Sequence, residues 1–183
     1  MLNSFVSFGT TAAHSPRARG LAVELALARD YVGCRSPRTS KENMTSAVTL
    51  IRSAALSDAA QYAYAATAPA GARLIFLAGS CPLNADGSTA GIGDFAAQAA
   101  SCIDNMKTAL NAAGARITDV ISTRVLVASS DQADLVSAWN VVRDAFGDHD
   151  VPSTLLGVTV LGYDHQLVEI EAVAAVLDAE QID

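Results

Sequence analysis

The sequence is poor in the residues that mark several common protein classes. Its 183 residues include only three cysteines, while 5% are aromatic and 17% are charged. Three widely spaced cysteines fit neither a disulfide framework nor a zinc site, which favours a reducing compartment, the cytoplasm. No uninterrupted apolar run reaches the length of a membrane span, although 51% of the residues are hydrophobic. The sequence therefore predicts a soluble, globular protein of one domain, with no membrane partner.

Basic residues are also scarce, and they are unevenly distributed. The net charge of −7 suits the phosphates of nucleic acid poorly, so no nucleic-acid partner is expected. Residues 1–43 carry six Arg and Lys against three Asp and Glu, whereas residues 44–183 carry six against sixteen. We expect 1–43 to be a flexible tail, a transit-like segment or the product of an over-long start. Residues 44–183 are then the folded domain.

Six segments of this domain have the composition and alternation of β-strands. They are 48–52, 61–68, 73–79, 121–128, 154–161 and 167–176. The turn residues Pro69 to Gly71 lie between the second and third segments and predict a hairpin of those two strands.

Two further segments have helical periodicity. Asp94 is an expected N-cap, and apolar residues recur on one face until Gly114 ends the helix. Ser129, followed three residues later by Gln132, predicts a capping box at the start of a second helix that ends at Gly147.

The resulting order is βββαβαββ, which predicts an α+β fold: a six-stranded sheet with two helices on one face. The last strand places Val168 and Ile170 on one face and Glu169, Glu171 and Val173 on the other. Most of the second face of the sheet is also apolar, and two helices cover only one face. Because such a surface is unfavourable in water, we expect it to be buried against other copies of the chain.

Three ordered motifs resemble those of the RidA/YjgF family. The stretch from Leu74 to Pro82 is similar to that family's strand and turn, I-x-x-S-G-x-x-P. Residues 94–120 are similar to its long helix and exit, and 167–173 resemble its terminal strand, V-E-I-E-A-I-A. Each motif alone is weak, but the ordered set spans about 50–177.

The resemblance implies a chorismate-mutase-like fold and a homotrimer with ligand clefts between subunits. Active family members hydrolyse reactive 2-enamine and 2-imine acids to 2-keto acids and ammonia, without a metal or an organic cofactor. The resemblance thus implies a hydrolase of the 2-iminobutanoate/2-iminopropanoate deaminase type that binds a small molecule at the subunit interface.

The sequence departs from this family at the residue that anchors the substrate. In the family motif P-x-R-[ST], an arginine binds the substrate carboxylate, because its planar guanidinium suits a bidentate contact. That position falls here on Pro152 or Ser153, and neither side chain carries a charge. Ala78 also replaces the usual serine beside Gly79.

Glu169 matches the family glutamate that helps to place the attacking water, so it is the predicted catalytic residue. A structural alternative is an interfacial charge paired with a neighbour. Arg124 lies on the same predicted face. It either replaces the anchoring arginine or forms an ion pair with Glu169 or Glu171. The ion pair is favoured, because an unpaired buried charge is costly.

The remaining predicted substrate-binding residues are Tyr64, Gly79, Ser80 and Ser153. Tyr62 is an alternative to Tyr64, because both share one strand face. The sequence does not mark Cys81 as an activated nucleophile, and a small apolar filler is the favoured interpretation.

No metal ligand set is predicted, since the sequence around His149 and His165 supplies too few converging ligands. The sequence therefore favours RidA-like hydrolysis of small enamines and imines, with altered or reduced activity. A non-catalytic trimer that binds a small ligand in the same cleft is the alternative.

Overall fold

The computed structural model describes residues 46–59 and 61–178. The expected extension at 1–43 and the predicted domain start at Met44 lie outside the described residues. Within them the chain forms six strands and two helices in the order βββαβαββ, so the predicted α+β class is confirmed. The elements are β1 (Thr49–Ile51), β2 (Ala65–Thr67), β3 (Arg73–Phe76), α1 (Phe95–Ala112), β4 (Val120–Val127), α2 (Gln132–Phe146), β5 (Ser153–Gly157) and β6 (Val168–Val176).

The strands form two sheets rather than one. β1 pairs with β2, and the other four strands form a sheet in the order β3-β6-β4-β5. β6 is antiparallel to both β3 and β4, whereas β5 runs parallel to β4. The predicted hairpin of β2 and β3 is wrong. The turn closes, because Ala72 donates to the carbonyl of Pro69 at 3.0 Å, but β3 pairs with the distant strand β6.

Capping residues mark where the helices begin and end. Asp94 caps α1 as expected, accepting a 3.0 Å hydrogen bond from the backbone of Ala97. Gly114 follows α1 with a φ of 77°, a conformation that favours glycine. The prediction for α2 is wrong at its start: Asp131, not Ser129, is the N-cap. The Ser129 hydroxyl instead donates to the carboxylate of Asp134 at 2.7 Å.

One face of the four-stranded sheet packs against both helices. Alternate residues of β6, beginning with Val168 and Ile170, are buried against Cys102 and Met106 of α1. Val125 and Val127 of β4 join the same core, together with Val142 of α2. The burial follows the alternation along each strand, so the predicted helix-covered face is confirmed.

The opposite face of this sheet is open in the single chain. Phe76 is 75% exposed, Leu74 51% and Leu156 41%. Arg124 and Glu171 form a pair across β4 and β6 on this face. A sheet face with this much exposed apolar area is costly in water.

Candidate functional site

The loop after β3 runs beside the start of β6 and places Gly79 against Glu169. Ser80 and Ile170 exchange two backbone hydrogen bonds, of 2.8 and 3.1 Å, which fix this register. The Glu169 carboxylate lies directly over Gly79: a Cβ at that position would overlap Oε1 and lie 2.6 Å from Cδ. Only glycine therefore leaves room for the carboxylate in this position.

Two side chains hold one oxygen of the half-buried Glu169 carboxylate. The Gln166 amide Nε2 donates to Oε2 at 3.0 Å. The Cys81 thiol donates to the same oxygen, with Sγ 3.5 Å from Oε2. No donor from residues 46–59 or 61–178 contacts the second oxygen, Oε1. The carboxylate thus has one fixed oxygen and one available acceptor.

Gln166 is itself rigidly held. It is buried, its Nε2 also contacts the Val168 carbonyl at 3.3 Å, and its Oε1 accepts from the backbone of Tyr163 at 3.0 Å. The preceding residue, His165, has a φ of 61°, which turns the chain sharply into β6. This turn brings the Gln166 side chain back onto Glu169.

A fully buried glutamine of α1 fastens the same turn. Gln98 donates to the His165 carbonyl at 2.8 Å and accepts from the backbone N–H groups of Leu167 and Val168, at 2.7 and 3.3 Å. Two turns later on the same helix, Asn105 donates to the carbonyls of Cys81 and Leu83, at 2.8 and 3.0 Å. Helix α1 therefore positions both segments that carry the Glu169 site.

The environment of Cys81 keeps its thiol protonated. Burial, the negative charge of Glu169 and the hydrogen bond to Glu169 raise the pKa of the Cys81 thiol to about 11, against a smaller opposing effect of Gln166. A protonated thiol is a hydrogen-bond donor and a poor nucleophile. Burial also raises the pKa of Cys102, whose thiol contacts the Val168 carbonyl at 3.4 Å in the core.

Arg124 lies on the same face of the sheet but contacts a different carboxylate. Its Nη1 is 3.3 Å from Oε2 of Glu171, and the two side chains are 66% and 45% exposed. Arg124 is opposite Glu171 in the strand register, whereas Leu126 is opposite Glu169. Of the two pairings that the sequence leaves open, the structure shows the one with Glu171.

Ser153 and the two tyrosine candidates belong to a different region. Ser153, Tyr62 and Trp139 line a narrow cleft of about 10 Å³, where the Ser153 hydroxyl donates to the Val151 carbonyl at 2.9 Å. The Tyr62 ring packs edge-on against Trp139, with centroids 5.9 Å apart, and Tyr64 lies beside it, 38% exposed. Tyr62 rather than Tyr64 is thus the tyrosine that lines this cleft.

One chain does not bring these two groups together. Leu156 of β5 and Glu169 of β6 are both opposite Leu126 of β4, and Ser153 is three residues from Leu156. Strand geometry then separates Ser153 from Glu169 by roughly 14 Å, on opposite faces of the sheet. The predicted residues form two separate groups: Gly79, Ser80 and Glu169 at one end, and the Ser153 cleft at the other.

The histidine segments show no metal-like arrangement in the described residues. His149 contacts the Val120 carbonyl at 2.7 Å and stacks on Phe146. Across 46–59 and 61–178, no three His, Cys, Asp or Glu side chains converge as metal ligands. In the same part of the chain, neither helix combines the length and apolar character of a membrane span.

Comparison with known proteins identifies the family. The family described as Endoribonuclease L-PSP matches residues 52–176. YyfB from Yersinia pestis, described as a member of the conserved Rid protein family, is 26% identical with a TM-score of 0.65, over 71% of this chain and 99% of YyfB. YEO7 from yeast is 27% identical with a TM-score of 0.52, over 70% of this chain and 98% of the yeast chain.

Rv2704 from Mycobacterium tuberculosis, described as a member of the YjgF/YER057c/UK114 family, is 30% identical with a TM-score of 0.49, over 70% of this chain and 99% of Rv2704. No curated protein matches the sequence. The resemblance found in the motifs is confirmed, and so is the fold that it implies. The family match at residues 52–176 covers more than half of this chain. The chain therefore belongs to the Endoribonuclease L-PSP family, which is the family of the Rid and YjgF proteins.

Proposed function

We propose that this protein hydrolyses small reactive imines and enamines to a carbonyl compound and ammonia, in the cytoplasm and without a metal or an organic cofactor. The observation that carries the proposal is the half-buried carboxylate of Glu169, with Oε2 held by two donors and Oε1 available over Gly79. A carboxylate oxygen fixed in this way is suited to orient and deprotonate a water molecule.

The reaction needs one water and one proton carrier. Glu169 Oε1 takes a proton from water as the water oxygen bonds to the imine carbon, giving a carbinolamine. That proton passes to the imine nitrogen, so the carbinolamine is neutral. Oε1 then takes the proton of the new hydroxyl group and delivers it to the nitrogen as the C–N bond breaks, so the carbonyl forms and ammonia leaves. An enamine first takes a proton on carbon and loses one from nitrogen, which converts it to the imine. Ser80 and the backbone near Gly79 supply donors to the substrate.

The full site combines two copies of the chain in a homotrimer. The open, apolar face of the sheet, with Leu74, Phe76 and Leu156 exposed, supports burial between copies. In this arrangement the Ser153 cleft of one copy, with Tyr62 and Tyr64, faces Glu169 of the next. Within one chain, roughly 14 Å separates Ser153 from Glu169, which supports a site shared between two copies.

Two substitutions favour a second candidate, a trimer of the same kind that binds a small ligand without converting it. Ala78 stands beside Gly79 in place of the family's serine, and the position of the family's arginine falls on Pro152 or Ser153. Both changes remove polar contacts from a substrate. RNA cleavage, which the family description names, is disfavoured by the net charge of −7.

A coupled assay tests the proposal. An amino-acid oxidase or a threonine dehydratase generates the imine, and formation of the 2-oxo acid is followed with and without the protein. We expect turnover above the uncatalysed rate, and a decrease in kcat of about 100-fold for Glu169→Gln, because the amide accepts no proton. Glu171→Gln is the matched control, since it removes a carboxylate two residues away on the same face.

A wild-type rate equal to the background overturns the enzymatic proposal. In that case, a thermal shift caused by a small acid or amine that is not consumed supports the ligand-binding candidate. Cleavage of a single-stranded RNA oligonucleotide that Glu169→Gln abolishes would contradict both candidates.

A further inference from the structure

The Glu169 carboxylate is held by contacts at its end rather than by its backbone. A glutamate side chain rotates about three bonds, so the strand alone does not fix the direction of its two oxygens. Gln166 Nε2 and Cys81 Sγ are 3.0 and 3.5 Å from the same oxygen, Oε2. A rotation of the carboxylate out of this plane would break both hydrogen bonds. The two donors therefore also set the direction of the second oxygen, Oε1.

The orientation of the Gln166 amide is determined by its three partners. Its Oε1 accepts from the backbone N–H of Tyr163 at 3.0 Å, while its Nε2 lies 3.3 Å from the Val168 carbonyl. The same Nε2 lies 3.0 Å from Glu169 Oε2. Exchanging the two ends of the amide would set its oxygen against two other oxygens and its nitrogen against an N–H donor. The nitrogen therefore faces Glu169 and donates to it.

The Gln166 donor is already ordered in the folded chain. Gln166 is 4% exposed. The fully buried Gln98 of α1 bonds to the carbonyl of the residue before it and to the N–H groups of the next two residues. A donor that is fixed by folding needs no rearrangement during a reaction. Gln166 is thus suited to hold a charged group throughout catalysis.

Cys81 is the weaker of the two donors. A thiol donates a weaker hydrogen bond than an amide does, and it has only one proton. The Cys81 Sγ also lies 3.6 Å from the Gly79 carbonyl, which competes for that proton. The pKa of the thiol, raised to about 11, keeps the proton in place at neutral pH. Cys81 therefore adds a second, weaker bond to the oxygen that Gln166 holds.

We propose that Gln166 is a positioning residue for hydrolysis: its amide fixes Glu169 Oε2 and so directs Oε1 toward water and substrate, with Cys81 as an auxiliary donor. The inference rests on the proposed function, because it assigns the residues that prepare Glu169 for that reaction. Donors to a carboxylate favour its ionised form, which is the form that takes a proton from water. A fixed orientation also avoids the loss of rate that a small misplacement causes.

A double-mutant cycle in the coupled imine assay tests the assignment. Gln166→Met keeps the length of the side chain and removes its donor, so we expect kcat to fall about 10-fold while KM changes less than about 2-fold. In the Glu169→Gln background the same substitution should cause no further decrease, because the group on which Gln166 acts is absent. An equal decrease in both backgrounds overturns the inference, since such an effect does not pass through Glu169.

Gln166→Glu separates the donor from the turn. Its carboxylate still accepts from the Tyr163 N–H, but it places a negative charge beside Glu169 Oε2. We expect kcat at about pH 8 to fall at least as far as in Gln166→Met. A Gln166→Glu enzyme that is faster than Gln166→Met overturns the inference, because the turn would then be what matters. Gln132→Met, at an exposed glutamine of α2, is the matched control and should keep the wild-type kcat.

Cys81 offers a conservative variant for the auxiliary donor. Cys81→Ser keeps a hydroxyl that donates, so kcat should stay within about 2-fold of the wild type. Cys81→Ala removes the donor and should lower kcat about 3-fold. Equal rates in the two variants overturn the auxiliary role of Cys81.

A wild-type protein without turnover overturns the hydrolase proposal, and NMR then tests the contact on which the inference rests. The side-chain amide signals of Gln166 are assigned by their loss in Gln166→Met. A shift of these signals in Glu169→Gln, but not in Glu171→Gln, supports the contact with Glu169. Signals that are unchanged in Glu169→Gln overturn the inference, whether or not the wild type is active.

Discussion

The two faces of strand β6 differ in almost every physical respect, although their residues alternate along one chain. The covered face carries Val168, Ile170 and Ala172, which are buried against the helices. The open face carries Glu169 and Glu171, beside an exposed Phe76 on β3. The covered face has the composition of a folded core, and the open face is the one to which we assign the proposed association and chemistry. Substitutions on the two faces should therefore have separable effects.

The largest effect is expected on the covered face. Ile170 is fully buried, and Ile170→Ala should lower the free energy of unfolding by about 2–5 kcal/mol, because it leaves a cavity in the core. Urea denaturation measures the loss. Ile170→Val provides a graded control, with an expected cost of about 0.5–1.5 kcal/mol. A loss for Ile170→Ala no larger than that for the valine variant would contradict the comparison.

The second-largest effect is expected for substitutions on the open face, which should weaken association between copies of the chain. Phe76 is 75% exposed in the single chain, and burial of such a side chain contributes about 1.5–3 kcal/mol. Phe76→Asp should shift the proposed trimer to a monomer in analytical ultracentrifugation, since it places a charge in each interface. Val136→Asp replaces another exposed apolar residue, on α2, and should leave the sedimentation unchanged. An unaltered trimer with Phe76→Asp would place the contact between copies elsewhere.

The thiol at the site gives a pH-dependent prediction. A rise in the pKa of the Cys81 thiol from 9.0 to about 11 lowers its thiolate fraction at pH 8 about 100-fold. Peptide-resolved alkylation at Cys81 should be slow at pH 8 and accelerate up to about pH 11. Glu169→Gln removes a negative charge that raises the pKa, so it should speed alkylation at pH 8. Equal rates in the two proteins would contradict the contact.

The raised pKa of the Cys81 thiol also predicts that the protein loses stability as the pH rises. The folded state keeps the Cys81 proton to higher pH than the unfolded state. The contribution of Cys81 to the free energy of unfolding is therefore complete below about pH 9. It declines as the pH rises from 9.0 to about 11, because the unfolded chain ionises first. Cys81→Ser should flatten this part of the stability profile.

The smallest effect is expected for the ion pair on the open face. Arg124 and Glu171 are 66% and 45% exposed, and exposed pairs contribute roughly 0–1 kcal/mol. Arg124→Met should therefore change the unfolding free energy by less than about 1 kcal/mol. It should also leave KM for 2-iminobutanoate unchanged, because Glu171 already engages the Arg124 guanidinium. A large rise in KM would restore Arg124 as the anchor that the sequence allows.

Local patterns predict much of this fold. Alternation along 167–176 identifies both faces of β6, and Asp94 and Gly114 mark the ends of α1. The errors arise where a choice depends on distant partners. The turn at Pro69–Gly71 suggests a hairpin, but the pairing of β3 with β6 spans about a hundred residues and leaves no local signal. Ser129 and Asp131 are both good caps, and the structure uses Asp131, while the Ser129 hydroxyl donates to Asp134.

The candidate site also has a part that local motifs predict and a part that depends on distant contacts. Glu169, Gly79 and Ser80 are predicted from motifs, and the structure brings them together. The contacts of Gln166 and Cys81 with Glu169 are missed, since they depend on the turn at His165 and on the loop held by Asn105.

The overlap between Gly79 and Glu169 has a practical consequence. A single methyl group at position 79 would displace the Glu169 carboxylate, because it would overlap Oε1. Under the proposed function, Gly79→Ala is thus a route to an inactive version of the protein. Such a version would allow short-lived compounds to be captured intact in crystals.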